Sequence, residues 1–338
     1  MSRTKLPTMW DVARLAGVTQ ATVSHVINGT ASISKEVKKR VMDAIDELGY
    51  VPNAAARSLK QNKTNTIGLI IPDVHSGFFS QMAKSVEENA RKYGYITFLC
   101  NTSYHPQLEE FYINNLIQQH VAGIIIGYGL MDQNVCNKVL KARIPLVILD
   151  SCLEVDDYQV PSVEVDNIKG SWLAVEHLYN MGIREIGFIS EPLFNNTLKL
   201  RYEGYIKAME TFGCTLNKYS INIQTKEYDK IEMGYESVDN ILMRGKPRAI
   251  FVSADQLAFG SIKRLLELKI RIPDDVAIVG YDDVPLSTVI TPRLTTIRQP
   301  VDQMGKRGFQ MLKKLIDGGK ITNKRMILIP SLVVRESA

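Results

Sequence analysis

The chain is poor in the features that mark several common classes of protein. Its four cysteines (Cys100, Cys136, Cys152 and Cys214) lie far apart with no C-x-x-C pair. That excludes a disulfide framework and the usual zinc ribbons, and leaves four small buried side chains in a reducing cytosol. The five histidines (His25, His75, His105, His120 and His177) show no i, i+4 or H-x-x-E-H spacing. No metal site and no cofactor is expected. No apolar run approaches the roughly 20 residues that span a bilayer, so no membrane partner is expected. The amino terminus, MSRTKLPTMWDVARLAG, carries charges before any apolar h-region, so no secretory signal is expected. There is no G-x-S-x-G elbow, P-loop or G-x-G-x-x-G opening a helix, and GIIIGYG (123–129) reads as a buried strand and turn. An enzyme is therefore not expected.

What is present is a charge asymmetry. Residues 1–63 hold ten Lys/Arg against five Asp/Glu. The whole net charge of +5 thus sits in the head, and the remaining residues balance at 31 of each sign. A basic head on a neutral body suggests one surface for a polyanion and a body for another task. With 338 residues and 45% apolar composition, the chain can form two or three globular domains.

The head reads as three helices. Thr8 can cap the first, with Asp11 in its first turn, Val12, Leu15 and Ala16 inward, and Gly17 at its end. Val18 packs the turn. Thr19 caps a second helix from Gln20 to Asn28, closed by Gly29, with Val23, Val26 and Ile27 inward. Ser34 caps a third, with Val37, Val41, Ala44, Ile45 and Leu48 inward and Gly49 following. Two short helices across a tight turn make a helix-turn-helix. Its second helix would enter the DNA major groove with Gln20, Ala21, Thr22, Ser24 and His25 outward. The following segment, YVPNAAARSLKQNKTNTIG (50–68), can form a short helix over 54–59 that needs a partner to hold it. Leu59 is then a candidate wedge for the minor groove, with Arg57 and Lys60 on phosphates, although a plain linker fits the spacing as well.

Beyond Thr64, apolar runs alternate with helical stretches. Strands are expected at 66–71, 96–100, 123–127, 146–150, 186–190, 249–253 and 276–282. Helices are expected at 78–93, 107–119, 132–141, 167–181, 200–213, 231–244 and 256–269. Uninterrupted Ile/Val/Leu runs point to parallel strands buried on both faces, and the alternation to two doubly wound α/β lobes. Ligands in such sheets bind beyond the carboxyl ends of strands. Those ends carry Pro72–Phe79, Asn101–Tyr104, Gly127–Tyr128, Asp150, Glu191–Leu193, Ala254–Asp255 and Asp282. Carboxylates and an Arg for hydroxyls, with aromatic rings for stacking, suit a sugar or a nucleobase.

The segments TMWDVARLAGVTQATVSHVING and YVPNAAARSLK strongly resemble the lactose/galactose-repressor (LacI/GalR) family of bacterial transcription regulators, and the similarity runs over essentially the whole chain. The head and hinge are most similar to the family's purine-repressor branch. The resemblance implies an all-α helix-turn-helix head on an α/β periplasmic-binding-protein-like sensor of two doubly wound parallel-sheet lobes. It implies DNA contacts from Thr8, Thr19, Gln20, Ala21, Thr22, Ser24, His25, Asn28, Arg57, Leu59 and Lys60. The segment NNTLKLRYEGY resembles the effector-anchoring segment, with Arg201 as the clamp and Asn195 and Thr197 beside it. VAIVGYDDVPLS resembles the segment whose first Asp, here Asp282, holds the effector. Phe78 and Phe79 fall at the stacking aromatics and Asp150 at a sugar-side position, and Asp255 joins this set from its strand end. Asn195 stands where the purine branch has an Arg that contacts the base, which favours a sugar over a purine.

The expected domains are a head at 1–50, a hinge at 51–65 and a sensor at 66–338. Lobe 1 is expected at about 66–162 and 292–322, and lobe 2 at about 163–291 and 323–338. The family implies a cytoplasmic homodimer that reads a palindromic double-stranded DNA operator, most often as a repressor, under a small-molecule effector. Alternatives are a purine effector, a phosphoprotein corepressor, or a binding protein without a DNA role.

Overall fold

The computed structural model describes residues 7–51, 64–127, 133–152, 154–155, 158–193, 195–215, 220–222 and 229–338. They divide into two units, Met1–Thr64 and Asn65–Ala338.

In the first unit, α1 spans Met9–Ala16, α2 Gln20–Asn28 and α3 Lys35–Leu48. Each is closed by a glycine in the left-handed region, Gly17, Gly29 and Gly49, where a Cβ would be strained. Thr8 and Asp11 form a reciprocal capping box: Asp11 N–H donates to Thr8 Oγ1 at 3.4 Å and Thr8 N–H to Asp11 Oδ2 at 2.9 Å. Val12, Ala13, Ala16, Val23, Val26, Val41, Ala44 and Tyr50 make the core. Leu15, expected inward, is 47% exposed. The buried stripe of α1 instead runs through Met9, Val12, Ala13 and Ala16, the i, i+3, i+4, i+7 spacing of one helix face. The expected hinge helix, with Arg57, Leu59 and Lys60, lies outside the described residues.

In the second unit, the chain runs β1 (Thr66–Ile71), α4 (Gly77–Lys92), β2 (Ile96–Asn101), α5 (Pro106–Gln118), β3 (Gly123–Ile126), α6 (Gln133–Lys141) and β4 (Leu146–Leu149). A small hairpin of β5 (Glu154–Val155) and β6 (Tyr158–Gln159) precedes β7 (Ser162–Val165). Then come α7 (Asn167–Asn180), β8 (Ile186–Ser190), α8 (Asn196–Thr211), β9 (Ser220–Asn222), α9 (Lys230–Arg244), β10 (Ala249–Val252), α10 (Asp255–Glu267) and β11 (Ala277–Asp282). The chain ends through β12 (Thr295–Arg298), α11 (Val301–Ile316), β13 (Arg325–Leu328) and β14 (Ser331–Val333).

Two six-stranded sheets result, in the orders β13-β7-β4-β3-β1-β2 and β14-β12-β11-β10-β8-β9. Within these two sheets the described pairings are parallel except β12 with β14, an antiparallel edge. Helices cover the faces of each sheet, giving two doubly wound lobes. The lobes exchange chain at three points: after β7, between β12 and α11, and between β13 and β14.

These crossings differ from the sequence boundaries. β7 belongs to the first sheet. β12, expected in lobe 1, completes the second sheet beside β11, because Thr295–Ile297 are buried there before the chain crosses at Gln299–Pro300. β13, expected in lobe 2, returns to the first sheet beside β7, where Arg325 makes a two-pronged ion pair with the buried Glu164 at 2.9 Å and 2.9 Å.

Candidate DNA-reading helix and interlobe effector cavity

Helix α2 has one inward and one outward face. Val23 and Val26 are buried, whereas Gln20, Ala21 and His25 are exposed and Thr22, Ser24 and Asn28 are half-buried. Thr19 caps the helix by accepting from Thr22 N–H at 3.2 Å, and the two hydroxyls lie 3.0 Å apart. His25 Nδ1 and Thr30 Oγ1 share a hydrogen bond of 2.9 Å, which orients the imidazole at the helix end. Asn28 Nδ2 donates to Ser24 O at 2.8 Å and to Ser24 Oγ at 3.2 Å. The side chains displayed outward are therefore Gln20, Ala21 and His25, while Thr8 and Thr19 carry the caps that hold α1 and α2 in shape. Amide, methyl and imidazole on one short helix face can meet base edges in a major groove.

In the sensor, the carboxyl ends of the strands from the two lobes line a shared cavity. Six expected residues meet there with Arg201: Phe78, Phe79, Asp150, Asn195, Thr197 and Asp282. Phe78 and Phe79, both buried on the first turn of α4, pack edge to face at 5.1 Å. Arg201 reaches in from α8 and is 5% exposed. Its Nε donates to Asn167 Oδ1 at 2.9 Å and its Nη1 to Ser253 O at 2.7 Å. Nη1 also lies 3.7 Å from Asp282 Oδ1, and the guanidinium stacks 3.7 Å from the Tyr281 ring centroid. Burial lowers the Arg201 pKa, but Tyr281, Asp282, Asp150 and Glu191 outweigh it and hold the cation charged. Tyr281 Oη donates to the same Asn167 oxygen at 3.1 Å, so one buried amide orients both groups. The room for Tyr281 depends on Gly170, where a Cβ would sit 2.2 Å from its oxygen.

Two carboxylates face the arginine from different strand ends. Asp282 accepts from Gln299 Nε2 at 2.7 Å and holds φ at 123°. Burial pushes its pKa up to about 6, against the pull of Arg201 and Lys230. Asp150, at the end of β4, has φ at 62° and is raised to about 7 by burial, again against Arg201. Its Oδ1 is buried without a hydrogen-bond partner. Thr197 Oγ1 donates to Asp150 O at 2.6 Å and so joins the lobes at the cavity wall. Asn195 accepts from Leu198 N–H at 2.8 Å and caps α8, which commits its oxygen to the backbone.

Asp255 is the exception. It does not line the cavity. It is fully buried and accepts from Val284 N–H at 2.9 Å, Ser287 Oγ at 2.7 Å and Thr296 Oγ1 at 2.6 Å. Its position at a strand end pointed to a ligand, but those three donors take both oxygens and make it the knot that ties the 284–287 turn to β12.

Glu191, Ser76 and Lys230 also line the cavity. Lys230 Nζ lies 2.7 Å from Glu191 Oε1, and the two side chains are 13% and 4% exposed. Glu191 stands at a strand end in the sequence, with no local sign of a partner. Lys230 lay hidden in the charged run TKEYDKIE, and Asn167 and Tyr281 carry no local signal of their roles.

A helix-turn-helix head and a two-lobed sensor with a buried polar cavity define a ligand-responsive, DNA-binding transcriptional regulator. The model of bacterial regulatory proteins of the lacI family matches residues 8–53, and that of the periplasmic binding protein-like domain matches residues 175–338. The chain is 34% identical over 334 residues to the HTH-type transcriptional repressor PurR of Pasteurella multocida (strain Pm70), covering 98% of each. It is 33% identical over 335 residues to the HTH-type transcriptional regulator DegA of Bacillus subtilis (strain 168), covering 98% of this chain and 97% of DegA. Among solved structures, the lac repressor dimer bound to operator and the anti-inducer ONPF matches with a TM-score of 0.84 at 28% identity, covering 98% and 99% of the chains. The transcriptional regulator CelR–cellobiose complex matches with a TM-score of 0.73 at 29% identity, covering 98% and 100%. The chain belongs to the lacI family of bacterial regulatory proteins.

Proposed function

We propose that the protein is a cytoplasmic repressor that binds a palindromic operator as a homodimer and responds to a small sugar held between the sensor lobes. It acts by binding and not by catalysis. Helix α2 reads base edges through Gln20, Ala21 and His25, and the lysines and arginines of the head contact phosphates. The observation that carries the effector class is the buried, unpartnered Asp150 Oδ1 across the cavity from the Arg201–Asp282 pair. A polyhydroxylated ring supplies donors to both carboxylates and acceptors to the guanidinium, while Phe78 and Phe79 cover its apolar face. The cavity holds three carboxylates, from Asp150, Glu191 and Asp282, against two cations, Arg201 and Lys230. That balance favours a neutral ligand over an anionic one. Asn195, committed to capping α8, supports a sugar over a purine. Lobe closure on the sugar shifts DNA affinity through a coupling of about 1–3 kcal/mol.

The test is footprinting of the protein on DNA upstream of its own gene and neighbouring operons, with panels of sugars and purines. A protected palindrome shifted by a sugar is the expected result. A shift by hypoxanthine or guanine alone would replace the sugar with a purine, and no protected site would remove the operator role.

A further inference from the structure

We propose that the sensor carries a second ligand site, for a small oxyanion that also bears a hydroxyl, where the chain crosses between the lobes at the start of α11. The site is separate from the effector cavity and independent of the effector's identity.

A cavity of about 510 Å³ lies at these crossings, lined among others by Gln81, Asp283, Arg298, Gln299, Asp302 and Ser331. Small-molecule sites typically measure about 300–1,000 Å³. The cavity shares no lining residue with the effector cavity. Gln81 and Asp302 come from helices of lobe 1, and Asp283 and Ser331 from lobe 2. Pro300 and Ile329, on two of the crossings, complete the wall. Gln299 links the two cavities, because its Nε2 donates to Asp282 Oδ1 at 2.7 Å.

Three groups at this wall have unused hydrogen-bonding capacity. The first is a guanidinium. Asp283 accepts from Arg298 Nε at 2.6 Å and from Arg335 Nη2 at 2.5 Å, so two cations share one carboxylate and the cluster is left positive. Arg298 is 55% exposed, and its two Nη groups donate to no described residue. The second is the start of α11. Its N-cap, Pro300, has no side-chain acceptor. Val301 N–H donates to Gln299 O at 2.9 Å and Met304 N–H to Pro300 O at 3.0 Å, while the N–H groups of Asp302 and Gln303 donate to no described residue. Open N–H groups at a helix start favour an anion. The third is Gln299, which is 3% exposed. With its Nε2 committed to Asp282, its Oε1 is buried without a hydrogen-bond partner. An oxyanion accepts from the guanidinium fork and the two N–H groups, and a hydroxyl on the same molecule donates to Gln299 Oε1. The Ser331 hydroxyl and the Gln81 amide are at hand for its remaining polar atoms. The exposed Asp302 carboxylate opposes an anion, so its removal should tighten binding.

The test titrates the full-length protein, at fixed ionic strength, with inorganic phosphate and with malate. Each probe carries an oxyanion and a hydroxyl. Isothermal calorimetry reads Kd, and the backbone amide resonances of Asp302 and Gln303 report occupancy without any variant. At least one probe is expected to bind with a Kd of about 1 mM or below and to shift both amides. Binding by phosphate alone assigns the site to phosphates, and by malate alone to carboxylates. Arg298→Ala should weaken binding about tenfold or more, and Asp302→Asn should tighten it. Amides that neither probe moves up to about 10 mM would overturn the site. Affinity unchanged in Arg298→Ala would also overturn it, by placing the anion on the basic head. Weaker binding in Asp302→Asn would overturn the anionic class of the ligand.

Discussion

At the scale of the residue, the cavity is governed by charge in a confined space. Arg201 serves four partners, Asn167, Ser253, Asp282 and the Tyr281 ring, and so fixes the inner end of the cavity before any ligand arrives. Arg201→Ala is expected to abolish ligand binding by calorimetry while DNA binding without effector persists. Arg201→Lys should fail nearly as badly, since an ammonium lacks the planar fork that reaches Asn167, Ser253 and Asp282 together. Asp150 gives a pH dependence. Its pKa is raised by burial to about 7 in the folded sensor, against about 3.9 in an unfolded chain. Between these values the folded state keeps a proton that the unfolded state has lost. The stabilisation is therefore fully present below about pH 4 and is lost as pH rises through about 7. Melting temperatures of the ligand-free protein should fall from pH 5 to pH 8, and Asp150→Asn should flatten that fall; an unchanged slope in the variant would refute this account. On the head, His25→Ala should relax discrimination at one base position per half-site by about 1–3 kcal/mol, read as relative affinities for operator variants.

At the scale of the element, the closest helix–helix approach at a glycine among the described residues is between α9 and α10. A Cβ on Gly234 would stand 1.9 Å from Leu257 O, and one on Gly260 would stand 1.8 Å from Ile231 O. The two helices touch backbone to backbone, and neither contact can yield by a rotamer change. Gly234→Ala should therefore lower sensor stability by about 1–3 kcal/mol or more in denaturant melts, despite alanine's better helix propensity. Elements of this kind were partly readable beforehand. Strands such as Thr66–Ile71, Leu146–Leu149 and Ala249–Val252 are uninterrupted apolar runs because both faces are buried, and composition alone reveals them. Ser162–Val165 and Arg325–Leu328 are not legible in that way. They are four-residue strands, SVEV and RMIL, and their parallel pairing, with Glu164 meeting Arg325 from 161 residues away, is a long-range contact that neither segment signals alone. The same limit applies in the cavity. Arg201 and Asp282 lie in recognisable segments, whereas Lys230 gains its meaning only when folding brings Glu191 beside it. Asp255 shows the reverse error, since a strand-end carboxylate reads as a ligand contact until its three donors are located.

At the scale of the whole molecule, the charge is as unevenly divided as the labour. The head carries the net +5 and the sensor is neutral. DNA affinity should accordingly fall steeply with salt, by a log–log slope of about −0.9 per phosphate contacted, whereas effector affinity should change little over the same range. Equal salt slopes for the two ligands would contradict this division. The three crossings between the lobes bear on how the protein is made. The head has a core of its own from residues 9–50 and can fold as soon as it leaves the ribosome. Lobe 1 cannot, because helix Val301–Ile316 packs over its sheet and Arg325–Leu328 forms its edge. Nor can lobe 2, whose edge is Ser331–Val333 and whose core takes in Ala338. Both halves of the sensor therefore wait for residues 301–338. A message cut short, or a ribosome that stalls, releases a DNA-reading head on a body that cannot assemble its sensor, and quality-control proteases would find that body unfolded and clear it.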